Sequence, residues 1–340
     1  MPTLENLTPF AATDFLSLTK EGEECLVLVV AGSFVLPPAG RATNAPLAVR
    51  EEHLPPATTD TYWGEPEKSS LRYESQSAYM RPGTDVLLHG QAWAPRGRKV
   101  TRTQVAVRVG TLEKRATVTG TRVWYQSLMG LSASDALPFE SVPLRYEYAF
   151  GGTTASGQEA RNPVGRGFYT SAKEAVEKPL PSVEAPEALV RGWADRPPPC
   201  GFGPVARHWP PRRGWAGTYD AAWVEKRAPF WPRDFDERFF HAAPEGLRAS
   251  THLQGGEPVV LEGVSPDGPL AFTLPTYRLL ARCTFAGRRE RRRMVLDTVL
   301  LEPEERRLVL TWRVKFPAHR QLALHEVSTV RLLLPGEDAP

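Results

Sequence analysis

Polar and apolar positions alternate with period two in several stretches of this chain, and apolar positions run unbroken in another. Cys25–Leu36 is apolar except at Gly32 and Ser33 and stops at Pro37-Pro38, which predicts a buried strand. In Thr103–Val109, Val105, Val107 and Val109 alternate with Gln104, Ala106 and Arg108, so the valines share one face of a strand. Arg307–Phe316 is the clearest case. Leu308, Leu310, Trp312, Val314 and Phe316 occupy one face, and Arg307, Thr311, Arg313 and Lys315 dominate the other. Asp85–Trp93, Glu290–Leu301 and Glu326–Leu334 also read as strands. Thr117–Trp124, around Gly120, predicts a hairpin, and residues 303–306 predict a turn between two strands.

Residues 150–256 break the pattern. Five of the nine tryptophans lie between Trp193 and Trp231, and eight prolines lie between Pro197 and Pro232. Aromatic density of this kind argues against a flexible linker. Short helices are expected at Ser171–Val176, Pro186–Arg191 and Ala221–Arg227. The fold expected is mainly β, an antiparallel sandwich or distorted barrel. Its body comes from residues 22–149 and 257–334, and the Trp/Pro-rich tract packs on it as an irregular insertion with a few short helices. Two small β domains flanking the tract are the alternative.

Composition narrows the function classes. The 340 residues are 41% hydrophobic, enough for a sizeable core. A net charge of +3 gives no strong nucleic-acid footprint. Arginine dominates the cations, and the one dense basic run is Arg288, Arg289, Glu290, Arg291, Arg292, Arg293. It reads as a solvated hairpin tip or a guarded edge strand, or as a surface for phosphates or an acidic partner. The three cysteines, Cys25, Cys200 and Cys283, have neither metal nor redox spacing, which points to a reducing compartment. The first residues form no basic leader, and the longest apolar run is too short to cross a bilayer. A cytoplasmic protein with no membrane and no nucleic-acid partner is expected.

Phosphate-loop, zincin and nucleophile-elbow motifs are absent, so no catalytic residue, cofactor or metal is assigned. Asp234, Asp236, Glu237 and His241, with Asp220 upstream, form the most suggestive acidic cluster. Paired carboxylates serve as acid and base or hold a hard cation; the structural alternative is a helix cap and an Arg pair. Trp209, Trp215, Tyr219, Trp223 and Trp231 are candidates for a partner-binding surface, with internal packing and a small-ligand groove as the other readings. Asp220, Asp234 and Asp236 join them as candidate partner contacts.

A series of motifs stands in order along residues 70–300. They include Ser70-Leu71-Arg72-Tyr73, Arg81-Pro82-Gly83-Thr84-Asp85, Ala92-Trp93-Ala94-Pro95 and Tyr148-Ala149-Phe150-Gly151-Gly152. Arg161-Asn162-Pro163, Gly201-Phe202-Gly203-Pro204, Gly217-Thr218-Tyr219-Asp220 and Pro232-Arg233-Asp234-Phe235-Asp236 follow. Together they resemble a bacterial family of unknown biochemical activity, encoded beside VgrG and PAAR-repeat spike proteins in type VI secretion clusters. The resemblance implies a non-enzymatic adaptor or chaperone that binds an effector, or its PAAR or VgrG carrier, and helps load it onto the spike. A spike-associated structural or cargo component, and a hydrolase using Asp220, Asp234, Asp236 and His241, are the alternatives.

Overall fold

The computed structural model describes residues 3–128, 130–285, 287–318, 325–333 and 337. The long apolar run becomes the strand Glu24–Val35, second in a five-stranded sheet. The order of that sheet is Ala11–Leu18, Glu24–Val35, Arg307–Pro317, Val295–Glu302 and Asp85–Leu88. Only the last pair is parallel. A second five-stranded sheet orders Val183–Glu184, Leu112–Thr119, Arg102–Val109, Pro258–Glu262 and Leu270–Thr273. A four-stranded sheet orders Thr3–Leu7, His325–Leu332, Leu279–Phe285 and Arg288–Arg293. Among the described residues no sheet closes into a barrel, so the mainly β, sandwich-like expectation holds.

All three sheets feed one apolar core. Leu26, Leu28, Val30 and Phe34 meet Leu308, Leu310 and Trp312 there, together with Val105, Val107 and Val109 and with Ala281, Cys283 and Phe285. Burying one such Val, Leu or Phe contributes about 1.5–3 kcal/mol. The other face of Glu24–Val35 is also covered. Cys25, Val27 and Val29 pack against Tyr79, Phe235 and Phe240 in a second cluster. Two buried faces explain why the run is continuous rather than alternating. The sheet around Glu24–Val35 is therefore a middle layer, with the core on one side and part of the Trp/Pro tract on the other.

Three local expectations change. The hairpin placed around Gly120 lies instead at Gly110-Thr111, joining Arg102–Val109 to Leu112–Thr119. Gly110 supplies the positive φ of 57° that the turn requires. At Gly120 the chain leaves the sheet so close to the Leu137 carbonyl that a Cβ would sit 1.9 Å from its oxygen. Residues 186–191 form no helix, because they wrap the buried Glu184 carboxylate, which accepts from the Val190 N–H at 2.7 Å. Helices stand at Ala172–Ala175 and Ala221–Lys226 as expected, and a further one at Arg212–Trp215 was not foreseen. The arginine run forms the strand Arg288–Arg293 at the edge of its sheet, matching the edge-strand reading.

Phe235 is nearly inaccessible and joins the tract to the middle sheet. Phe235→Ala is expected to cost about 3–5 kcal/mol in urea unfolding, as for other buried phenylalanines.

Candidate functional site

The outer face of the middle sheet is charged, and its charges are buried. Arg313 projects from Arg307–Pro317 on the side away from the main core. Its Nε donates to Asp297 Oδ2 at 2.5 Å. Its remaining nitrogens donate to the Gln76 and Ala78 carbonyls at 2.9 and 2.6 Å and to Gln76 Oε1 at 2.5 Å. Asp297 sits at a β-bulge, where the register slips between Leu296 and Thr298. Beside them Arg81 donates to Asp85 Oδ2 at 2.6 Å and to the Phe240 carbonyl at 2.5 Å. It also reaches Glu74 at 3.3 Å. Glu74 takes Arg212 at 2.7 Å and Arg207 at 2.9 Å as further partners. The cluster thus ties residues 74–81, 205–212 and 239–242 to strands of the middle sheet.

Asp85 and Glu74 remain charged inside it. Burial pushes Asp85 up, but the His241 hydrogen bond and the Arg81 charge outweigh it and hold the acid below its usual range. Burial likewise pushes Glu74 up, and Arg212, Arg81 and Arg207 bring it down. A second buried set lies at the end of Val295–Glu302. Tyr73 donates to Glu302 Oε1 at 2.6 Å, Arg307 donates to Oε2 at 2.6 Å, and His89 Nδ1 lies 3.4 Å from Oε1. Burial pushes Glu302 up, yet the hydrogen bonds from His89, Arg307 and Tyr73 bring it down to about 2. Burial lowers His89.

The carboxylates proposed for hydrolysis each find their own local partner. Asp220 caps the helix Ala221–Lys226, accepting from the Trp223 N–H at 2.8 Å. Asp234 accepts from the Thr218 N–H and hydroxyl at 3.0 and 2.7 Å. Asp236 caps the turn at Glu237–Phe240 and pairs with Arg238 at 2.5 Å. His241 turns to Asp85 instead, with Nδ1 2.6 Å from Oδ1. Among the described residues no hydrogen bond joins two of Asp220, Asp234, Asp236 and His241, and no serine or cysteine is bonded to His241. The three cysteines are free and buried, and burial pushes each thiol up to about 11. No three His, Cys, Asp or Glu among the described residues group to hold a metal ion.

The aromatic candidates separate into inner and outer sets. Trp209 is buried edge-on to Tyr146, with Val205 and Ala206. Trp231 packs on Phe235 at 4.3 Å and borders Phe239 and Phe240. Trp215 is half-buried between the Arg238 and Arg248 guanidiniums, 5.2 and 5.3 Å from its ring. Tyr219 and Trp223 meet at 4.7 Å near the surface, and Tyr219, Val224 and Phe230 are 51%, 64% and 37% exposed. This tip is held firmly. Trp223 Nε1 donates to the Phe230 carbonyl at 2.9 Å, and Arg227 donates to the Trp231 carbonyl at 2.8 Å and to the Lys20 carbonyl at 2.5 Å. Exposed apolar side chains on an immobilised base suit binding rather than bond chemistry.

Two stability predictions follow from the charge layer. Asp297→Ala strands Arg313 without its carboxylate and is expected to cost about 3–5 kcal/mol in urea unfolding. Replacing both with apolar residues, Asp297→Leu with Arg313→Met, should recover much of that loss. Stability should also fall on acidification. His89 and His325 have folded-state values depressed by burial, so the unfolded chain takes up protons first below about pH 6.5. Glu302 contributes stability at neutral pH that disappears as pH drops from about 4.5 towards 2. Melting curves across this range should show both losses, and His89→Gln should shrink the upper one.

The model of a family of uncharacterized proteins conserved in bacteria (DUF2169) matches residues 21–313. No curated protein and no solved structure matches the chain. No helix among the described residues is long and apolar enough to cross a membrane. A match over most of the length, including the middle sheet and the tract that covers it, makes this chain a member of the bacterial DUF2169 family.

Proposed function

We propose that the protein is a non-enzymatic accessory protein of type VI secretion, an adaptor or chaperone in the cytoplasm. It binds a toxic effector, or the PAAR- or VgrG-bearing carrier of that effector, and helps load it onto the spike. The observation that supports this reading best is the rigid apolar tip of Tyr219, Trp223, Val224 and Phe230, standing where the carboxylates around it are already satisfied. Preformed aromatic anchors bind polypeptide partners at low entropic cost. The order of motifs from Ser70 to Asp236 is what ties the reading to secretion.

The test is an affinity pull-down of tagged protein from its own host, read by mass spectrometry. Near-stoichiometric recovery of a VgrG, a PAAR protein or a toxin is the expected result. Tyr219→Ser with Val224→Asp should reduce that recovery several-fold while the melting temperature stays unchanged, since neither side chain is buried. Normal export of the effector from a strain lacking the protein would sink the adaptor reading. Secretion-dependent appearance of the protein in the medium would move it to the spike-associated class.

A further inference from the structure

The four-stranded sheet turns two different arginine sets to its two faces. Ala281, Cys283 and Phe285 point into the main core, so Arg282 between them points away and is exposed. Cross-strand partners share a face, and Arg282 stands directly opposite Arg291, with Arg289 opposite Thr284 and Arg293 opposite Leu280. The outward set is therefore Arg282, Arg289, Arg291 and Arg293. The inward set, Arg288 and Arg292, shares the Glu290 carboxylate at 3.3 and 3.4 Å, and Arg292 lies over the Phe316 ring.

The outward set has no such compensation. Among the described residues Arg282, Arg289 and Arg291 have no carboxylate partner, and Arg293 reaches only Gln254 Oε1 at 3.4 Å. The row across the sheet reads Glu5, Thr329, Arg282, Arg291, with Thr329 donating to Glu5. Glu5 is two strands from Arg282, roughly 10 Å, where salt already screens most of its charge. Like charges directly opposed on a sheet destabilise it. The chain nonetheless places two guanidiniums opposite each other and flanks them with two more.

Among the described residues Arg288–Arg293 is also the last strand of its sheet, with one side of its backbone unpaired within the sheet. An edge in this state repels basic or neutral strands and accepts an acidic one. We infer that this edge is a docking site for an extended acidic segment of a protein partner, which adds to the sheet as a further strand. Its Asp or Glu side chains fall at every second position, the roughly 6.6–6.8 Å repeat that Arg289, Arg291 and Arg293 present. A nucleic acid offers the charge but cannot pair the backbone edge, and aromatic residues for stacking are not interleaved with the run. The inference stands apart from the secretion reading, which rests on the aromatic tip.

The test is fluorescence anisotropy of the full chain with a short labelled peptide alternating aspartate and threonine. Binding should weaken with salt and fall by roughly tenfold or more in Arg289→Glu with Arg291→Glu, where like charges then face the peptide. Melting curves of that variant should match or exceed those of the parent, because the opposed Arg282–Arg291 pair is relieved. N-methylation of alternate peptide residues, which removes edge hydrogen bonds but no charge, should abolish binding. Equal binding of the N-methylated peptide, or of one with its aspartates gathered in a block, would overturn strand addition. Tighter binding of single-stranded oligothymidylate would assign the face to nucleic acid instead, and no binding at all would leave the arginines as guards of the edge.

Discussion

Arg313 stands in the middle of a sheet with both faces covered, and its guanidinium has to be satisfied there. A charge of this kind is tolerated in an interior only when every donor has an acceptor. Asp297 provides one acceptor from the neighbouring strand; the rest come from Gln76 and Ala78. The loop through residues 74–81 is therefore held at the sheet by the needs of one side chain. Arg81 on the same loop, Arg212 and His241 extend the constraint to the Trp/Pro tract. Hydrophobic burial supplies most of the stabilisation, but it is non-directional. The charge layer determines how the tract is oriented on the sheet.

Much of the β framework was legible from period alone. Val105, Val107 and Val109, and the Leu308-to-Phe316 face, are buried as their alternation predicts. Alternation is silent about what covers the opposite face. Thr311 and Arg313 are polar positions of that face, yet both are buried, Arg313 beneath the loop through Gln76 and Ala78. Period two distinguishes the faces of a strand without saying whether a second layer covers the polar one. A usable signal was present in Asp297, an acid inside the apolar stretch Met294–Leu301, which is costly unless partnered. The hairpin at Gly110 was missed because Gly120 looks like an equally good turn residue, and only long-range packing against Leu137 separates their roles.

The acidic cluster near Asp234 illustrates how sequence proximity overstates chemical proximity. Asp234 and Asp236 are two residues apart, yet one clasps Thr218 and the other caps a turn beside Arg238. His241 finds its carboxylate in Asp85, far away in sequence. Of the aromatic candidates, Trp209 serves packing, Trp231 is partly buried in the layer over the sheet, and Tyr219 with Val224 reaches solvent. Exposure, which the spacing of tryptophans does not encode, separates the anchor set from the presented set.

The bulge at Asp297 adds a residue to the strand without changing the partners of its neighbours. Substitution removes the counter-charge of Arg313. Deletion would restore an uninterrupted ladder with Arg307–Pro317 and leave Val295 and Leu296 opposite Arg313 and Trp312, on their present faces, so its cost is the same missing carboxylate. Residue 297 is thus constrained by electrostatics: changing the letter and removing it both strand the same guanidinium. A chain without the aspartate would need to lose Arg313 as well, and with it the anchoring of the covering loop.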